Sequence, residues 1–152
     1  MDISFINTDM DTLVQTLDKR LEQLEKTFLV TANPEIMMHA QKNPAYFQTL
    51  SNADFVIPDG IGIIIGSKIL KNPIGERLAG FDLMMRLFEL ASDKGYNIYF
   101  LGAEPSVIET AVDRVKEHFP SLSVAGYHHG YFDLNDESIV EDIKAANPDI
   151  VL

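Results

Sequence analysis

Asp59 closes an apolar run, Phe55-Val56-Ile57-Pro58, and is followed by two spaced glycines, Gly60 and Gly62. A carboxylate so placed can take the proton of a hydroxyl nucleophile. Phe55, Val56 and Ile57 are strand formers without polar alternation, as expected of a strand covered on both faces, and Pro58 cannot extend a ladder. Asp59 then falls at the carboxyl end of the strand, the edge where open α/β sheets bind ligands. Taken alone, the segment favours a simpler role for Asp59, capping a helix that begins near Gly60.

Three further groups are expected on the same kind of edge. Thr31-Ala32-Asn33-Pro34-Glu35 follows a short apolar run and offers a hydroxyl and a carboxamide to a polyhydroxylated or phosphorylated ligand. Helix capping by Asn33 is the competing role, and Glu35 carries the same ambiguity. Glu76-Arg77-Leu78-Ala79-Gly80-Phe81-Asp82 places a guanidinium between two apolar helices, where it can grip a diphosphate with two parallel bonds. A surface pair of Arg77 with Glu76, and a cap at Asp82, are the plainer alternatives. In Leu101-Gly102-Ala103-Glu104-Pro105 the glycine lets backbone approach a nucleotide, and a helix starting near Ser106 offers free N–H groups to phosphate; an ordinary strand-to-helix turn has the same form. His128-His129 suggests a metal, but adjacent side chains are expected to diverge and no third ligand stands at a characteristic spacing, so a ligand-facing loop is the better reading.

In this order the segments closely resemble the WecG/TagA/CpsF family of bacterial glycosyltransferases, over nearly the whole chain. The resemblance rests on Thr31-x-Asn33-Pro34-Glu35, on Ala53-Asp54-x-x-x-Pro58-Asp59-Gly60-x-Gly62, on Glu76-Arg77-x-x-Gly80-x-Asp82, and on His129-Gly130-Tyr131-Phe132. It implies a Rossmann-like α/β fold, with a mainly parallel sheet and helices on both faces. It also implies an inverting transfer of N-acetylmannosamine from its UDP donor to N-acetylglucosamine on undecaprenyl diphosphate, for wall teichoic acid or a related cell-surface polysaccharide. On this resemblance Asp59 is the base, with Thr31, Asn33 and Arg77 as its catalytic companions. Gly60, Gly62, Gly80, Asp82, Gly102, Ala103, Glu104, His129, Gly130 and Tyr131 are expected to line the substrates. No metal or other cofactor is expected, and none of these motifs contains an Asp-x-Asp triplet. Family members continue beyond the last strand into an appendage that helps complete the site and meets the membrane. The chain is therefore expected to be a catalytic core, weakly active by itself, with membrane contact only through that later segment.

Composition bounds the same reading. With 152 residues, 46% of them hydrophobic, the chain suits one domain with a real core. It carries 23 acidic and 12 basic side chains, a formal charge of -11, which argues against a broad nucleic-acid-binding face and against attraction to anionic membranes. Without cysteine, disulfides and thiolate metal sites are excluded. The N-terminus lacks a basic stretch followed by an apolar core, so a cytoplasmic location is expected. A dinucleotide oxidoreductase is disfavoured because Gly66 arrives one residue late for G-x-G-x-x-G after Gly60 and Gly62. A non-catalytic domain that binds nucleotide or self-associates as a homo-oligomer is the alternative retained.

The elements that must position these groups alternate. Leu13, Val14, Leu17, Leu21 and Leu24 recur at helical spacing over residues 9–26. A strand at Phe28-Leu29-Val30 leads to a helix capped by Asn33, running to about Gln41, and then to a short helix from Pro44 to Leu50. The segment from Asp59 to Leu70 is expected to be helical and mostly buried, serving core or subunit interface. Helices over 81–91 and 136–146 and strands at 98–101, near 123–125 and from 149 complete the pattern. Ser106 and Glu109 have capping-box spacing for a helix running to about Phe119. Met37, Met38, Met84 and Met85 are expected to fill core gaps.

Overall fold

The computed structural model describes residues 3–133 and 135–152; Met1 and Asp2, on which the reading of the N-terminus partly rests, lie outside it. The described residues form two compact units, one up to Leu83 and one from Met84 onward. Each has its own parallel sheet, so the expected α/β architecture is found with its strands divided between two sheets.

In the first unit, helix α1 (Met10–Glu22) starts at Asp9, whose carboxylate accepts from the Thr12 N–H, and buries Leu13, Val14 and Leu17. It ends earlier than the leucine spacing suggests: Leu24 lies beyond it with φ of 55° and is exposed. Strand β1 (Leu29–Ala32) leads to α2 (Pro34–Lys42), and α3 (Pro44–Ser51) follows directly. Both helices open with the same device, an asparagine cap followed by proline: Asn33 Oδ1 accepts from Ile36 N, and Asn43 Oδ1 from Tyr46 N. Strand β2 (Phe55–Pro58) then pairs parallel with β1, Leu29 against Phe55 and Ala32 against Pro58. Pro58 is thus the last residue of the strand rather than the first beyond it. Its carbonyl accepts from Leu78 N at 3.0 Å.

Helix α4 (Ile61–Ile69) departs from expectation, since only Ile64 and Ser67 on it are buried while Ile61, Ile65 and Ile69 are exposed. Met38 is also exposed, not packed in the core. Helix α5 (Gly80–Lys94) contains the boundary between the units.

The second unit orders its strands β4-β3-β5, all parallel, with β3 (Asn97–Leu101) in the centre, β4 (Ser123–His128) on one side and β5 (Ile150–Val151) on the other. Helices α6 (Pro105–His118) and α7 (Ser138–Ala146) provide the crossovers that parallel strands require. Phe88, Ala91, Ile98, Phe100, Ile108, Val112 and Leu122 form its core, with Met84 and Met85 packed against it as expected. Position 126 must be small, because a Cβ there would sit 2.8 Å from Tyr99 Cε2, beside the register shift between Ile98 and Tyr99.

Candidate functional site

The carboxyl edge of the β1–β2 pair is built around Asp59. The parallel register aligns Ala32 with Pro58, and Asp59 N donates to Ala32 O at 3.0 Å, so the chain leaves both strands at one level. Asp59 does not cap α4. The cap position is Gly60, whose φ of 91° excludes most side chains and makes no side-chain cap bond. Asp59 Oδ2 instead accepts from Gly80 N at 3.2 Å, twenty-one residues along the chain. Among the described residues Oδ1 accepts no bond, and it remains available to a ligand hydroxyl.

Gly80 joins Asp59 to Thr31. A Cβ at position 80 would lie 2.8 Å from Thr31 Cγ2 and 3.3 Å from its Oγ1, so only glycine allows the N–H to reach Asp59 without moving Thr31. Gly62 serves a similar close approach, as a Cβ there would stand 2.6 Å from Pro34 Cγ at the start of α2. Gly60, Gly62 and Gly80 therefore have packing and turn roles in addition to any contact with substrate. Asn33, half-buried, spends Oδ1 on the α2 cap, and Glu35 is exposed in the first turn of that helix.

Arg77 is exposed, and among the described residues it forms no ion pair with Glu76. The next residue, Leu78, is fully buried and bonded through its N–H to Pro58 O. One bond to the Pro58 carbonyl and one to the Asp59 carboxylate thus hold the 78–80 segment at the end of β2, with the exposed Arg77 directly before it. Asp82 sits inside the first turn of α5, not at its cap, where its charge meets the positive end of the helix.

The second unit assembles a separate group at the carboxyl ends of β3 and β4. Gly102 N donates to His128 O at 3.0 Å, and Gly130 N donates to Ala103 O at 2.9 Å. Gly130 packs so closely that a Cβ would be 3.2 Å from Gly102 Cα. Ala103 holds φ of 60°, a conformation that costs an L-residue energy, and Glu104 is the cap residue of α6 without a side-chain cap bond. Ser106 lies within that helix, because Pro105 starts it one residue sooner, so the expected capping box does not form. The rings of His128 and His129 do not diverge: their centroids are 4.3 Å apart, and His128 also meets the Phe132 ring edge-on. Tyr131 is exposed, with its N–H directed at His129 Nδ1.

Two motif residues prove structural. Asp54 stands at the opposite end of β2 from Asp59, where Oδ2 accepts from Phe28 N at 2.8 Å and Oδ1 from Arg20 Nη2 at 3.3 Å. Leu78 was not singled out by its motif, although it is the one large apolar side chain between Arg77 and Gly80. The chain also carries an Asp-x-Asp triplet outside the motifs, Asp9-Met10-Asp11. Asp9 is engaged as the α1 cap through both Thr12 N and Thr12 Oγ1, bonds that hold its carboxyl below the usual carboxylate range.

Comparison with known proteins gives the family. Residues 1–152 match the model of the glycosyl transferase WecG/TagA/CpsF family. The chain is 39% identical over 150 residues to the N-acetylglucosaminyldiphosphoundecaprenol N-acetyl-beta-D-mannosaminyltransferase of Bacillus spizizenii, covering 98% of this chain and 58% of that protein. It is 34% identical over 151 residues to the Staphylococcus aureus protein of the same name, covering 98% of this chain and 59% of that one. The chain thus spans less than two thirds of the length of these curated relatives.

Proposed function

The chain belongs to the glycosyl transferase WecG/TagA/CpsF family, and from that premise we propose that it carries the base and donor-binding residues of an inverting sugar transfer. The donor is UDP-N-acetylmannosamine, and the acceptor is the 4-hydroxyl of N-acetylglucosamine on undecaprenyl diphosphate, at the cytoplasmic face of the membrane in wall teichoic acid or related polysaccharide synthesis. The observation that carries this reading is Asp59 itself. It sits at a strand's carboxyl end with one oxygen fixed by Gly80 N–H and the other unspent among the described residues. Oδ1 takes the proton of the acceptor hydroxyl as the hydroxyl oxygen attacks the anomeric carbon, the bond from this carbon to the diphosphate breaks, and configuration inverts.

Charge then builds on the departing UDP. Arg77 meets it with a bidentate guanidinium, and in this reading that cation supplies the countercharge without a metal ion. Thr31 and Asn33 orient sugar hydroxyls from the end of β1. In the second unit, the turn at Gly102 and Ala103 and the first N–H groups of α6 suit a phosphate or nucleotide.

The test is transfer of labelled N-acetylmannosamine to the lipid-linked acceptor, together with a donor-binding melt. Asp59→Asn is expected to abolish transfer while the rise in melting temperature with UDP-sugar is kept. Near-normal turnover in that variant removes Asp59 from the mechanism.

A further inference from the structure

Pro34 opens α2, and a proline in the first turn of a helix needs no further role. Its side chain nevertheless lies across the turn that follows Asp59. A Cβ at Gly60 would stand 3.8 Å from Pro34 Cδ, in ordinary contact, whereas one at Gly62 would stand 2.6 Å from Pro34 Cγ. The pyrrolidine therefore fills the space that a side chain at position 62 would need. Asn43-Pro44 repeats the same cap and proline at the head of α3, yet Pro44 is not among the nearest atoms to a Cβ at any described glycine. The contact at α2 is thus not a consequence of starting a helix with proline.

Contacts around Asp59 form a closed circuit. Its Oδ2 accepts from Gly80 N, a Cβ at Gly80 would meet Thr31, and the chain runs from Thr31 through Asn33 to Pro34, which bears on Gly60 and Gly62. The β1–α2 turn thus sends one side chain to each glycine, Thr31 to Gly80 and Pro34 to Gly62, with Asn33 between them held to α2 by its own Oδ1. Gly60, with φ of 91°, gives α4 no side-chain cap bond, so little inside the turn itself restrains it. Pro34 and Gly62 are both exposed, and their contact adds little to the core. What it constrains is the path by which the chain leaves Asp59.

We propose that Pro34 is a positioning residue for Asp59: seated in the notch left by Gly62, it holds the Asp59-Gly60 turn in register with Thr31 and Asn33. The consequence for transfer rests on the function proposed above, in which Asp59 is the base. Proline suits the task because its side chain is closed onto its own backbone nitrogen and cannot swing out of the notch as an open-chain residue can.

The test compares Pro34→Ala, Gly62→Ala, the two together, and Pro44→Ala as control, all in the whole chain, by transfer kinetics and by hydrogen exchange at the Gly80 amide. Gly80 opens α5, so its N–H has no partner inside the helix and its protection reports on Asp59. Pro34→Ala is expected to speed that exchange about tenfold. It should also lower kcat by about tenfold or more, as misplacing a catalytic group does, while the donor KM and the donor-induced rise in Tm are kept. Gly62→Ala should disturb both readouts as well. In the double variant Cβ faces Cβ at 3.7 Å, an ordinary contact that refills the notch from the other side, and both readouts should return to within about threefold of the wild type. Pro44→Ala, which loses the same kind of first-turn proline, should leave both unchanged. With an active wild type, unchanged Gly80 exchange or unchanged kcat in Pro34→Ala overturns the proposal. So does a double variant no better than Pro34→Ala, or an equal loss in Pro44→Ala. If the wild type transfers no sugar while Gly80 exchange still follows Pro34 and recovers in the double variant, the catalytic reading fails and the positioning of Asp59 stands.

Discussion

Gly80→Ala is the sharpest perturbation of the Asp59 edge, because one methyl group tests both contacts of residue 80. The backbone there is outside the left-handed region, so alanine meets no conformational penalty, and in the first turn of α5 it gains up to about 1 kcal/mol in helix propensity. Against that gain stands the new Cβ, 2.8 Å from Thr31 Cγ2 and 3.2 Å from Thr31 Cβ, distances at which something must move. Overpacking of this kind costs roughly 1–3 kcal/mol. Moving residue 80 away also stretches the 3.2 Å bond to Asp59, and a hydrogen bond to a charged group is worth about 1.5–3 kcal/mol. The clash outweighs the propensity gain, and the net loss is expected to be about 1–3 kcal/mol. In a chain of this size that corresponds to a fall in Tm of about 2–4 °C per kcal/mol.

Thr31→Ser supplies the control. It deletes Cγ2, the nearest atom, and leaves contacts at 3.2 and 3.3 Å that small adjustments can absorb. Alone it should cost about 0.5–1.5 kcal/mol, as other methyl deletions do. In the double variant the losses should be strongly sub-additive, with a coupling of about 1 kcal/mol or more by urea or thermal denaturation. Transfer should recover in the double variant relative to Gly80→Ala, because the Asp59 carboxylate regains its donor. Gly80→Ala melting at or above the wild type, or a cycle additive to within about 0.5 kcal/mol, refutes the assigned contact.

Other expectations follow from single contacts. Asp54→Ala removes the acceptor of Phe28 N–H and the partner of Arg20, so stability should fall by about 1–2 kcal/mol in urea melts while donor affinity is unchanged. Ala103→Gly relieves a φ of 60° and should raise stability by about 0.5–1 kcal/mol, measured the same way. Burial, then the charge of Asp142, raises the Tyr99 hydroxyl above its ordinary 10.0. Its contribution is therefore complete below that pH and is lost as pH rises from there through the folded value. Tyr99→Phe should flatten the alkaline limb of a stability profile taken from about pH 9 to 11.

What could be read in the sequence was local. Asn33 and Asn43 each precede a proline and cap the next helix as their types require, because an Asx side chain needs only its own following turn. Asp59 and Ser106 failed as caps for equally local reasons hidden one residue away. Gly60 takes a positive φ and becomes the cap position itself, while Pro105 opens α6 early and draws Ser106 inside. The bond from Gly80 to Asp59 spans twenty-one residues, and no spacing rule reports it. The exposure of α4 was illegible for another reason. Hydropathy gives how apolar a helix is, but whether its outer face is covered depends on what the rest of the chain brings to it, and here Ile61, Ile65 and Ile69 receive nothing within the described residues.

Capping and catalysis are competing roles for Asn33, yet the structure makes them compatible, because the Asn33 carboxamide and the Asp59 carboxylate each have two polar heavy atoms and spend one. Asn33 gives Oδ1 to Ile36 N, and among the described residues its Nδ2 is uncommitted; Asp59 gives Oδ2 to Gly80 N and keeps Oδ1. The bond that holds the side chain also aims the remaining atom, which is how a short loop can orient a ligand without a second layer of support. Substitution separates the two uses. Asn33→Ala loses the cap, about 1 kcal/mol, together with any ligand contact. Asn33→Asp caps as well as asparagine does but replaces the carboxamide donor with an acceptor. Wild-type melting with a large loss of transfer in Asn33→Asp is the expected result, and wild-type transfer in that variant would reduce Asn33 to the cap alone.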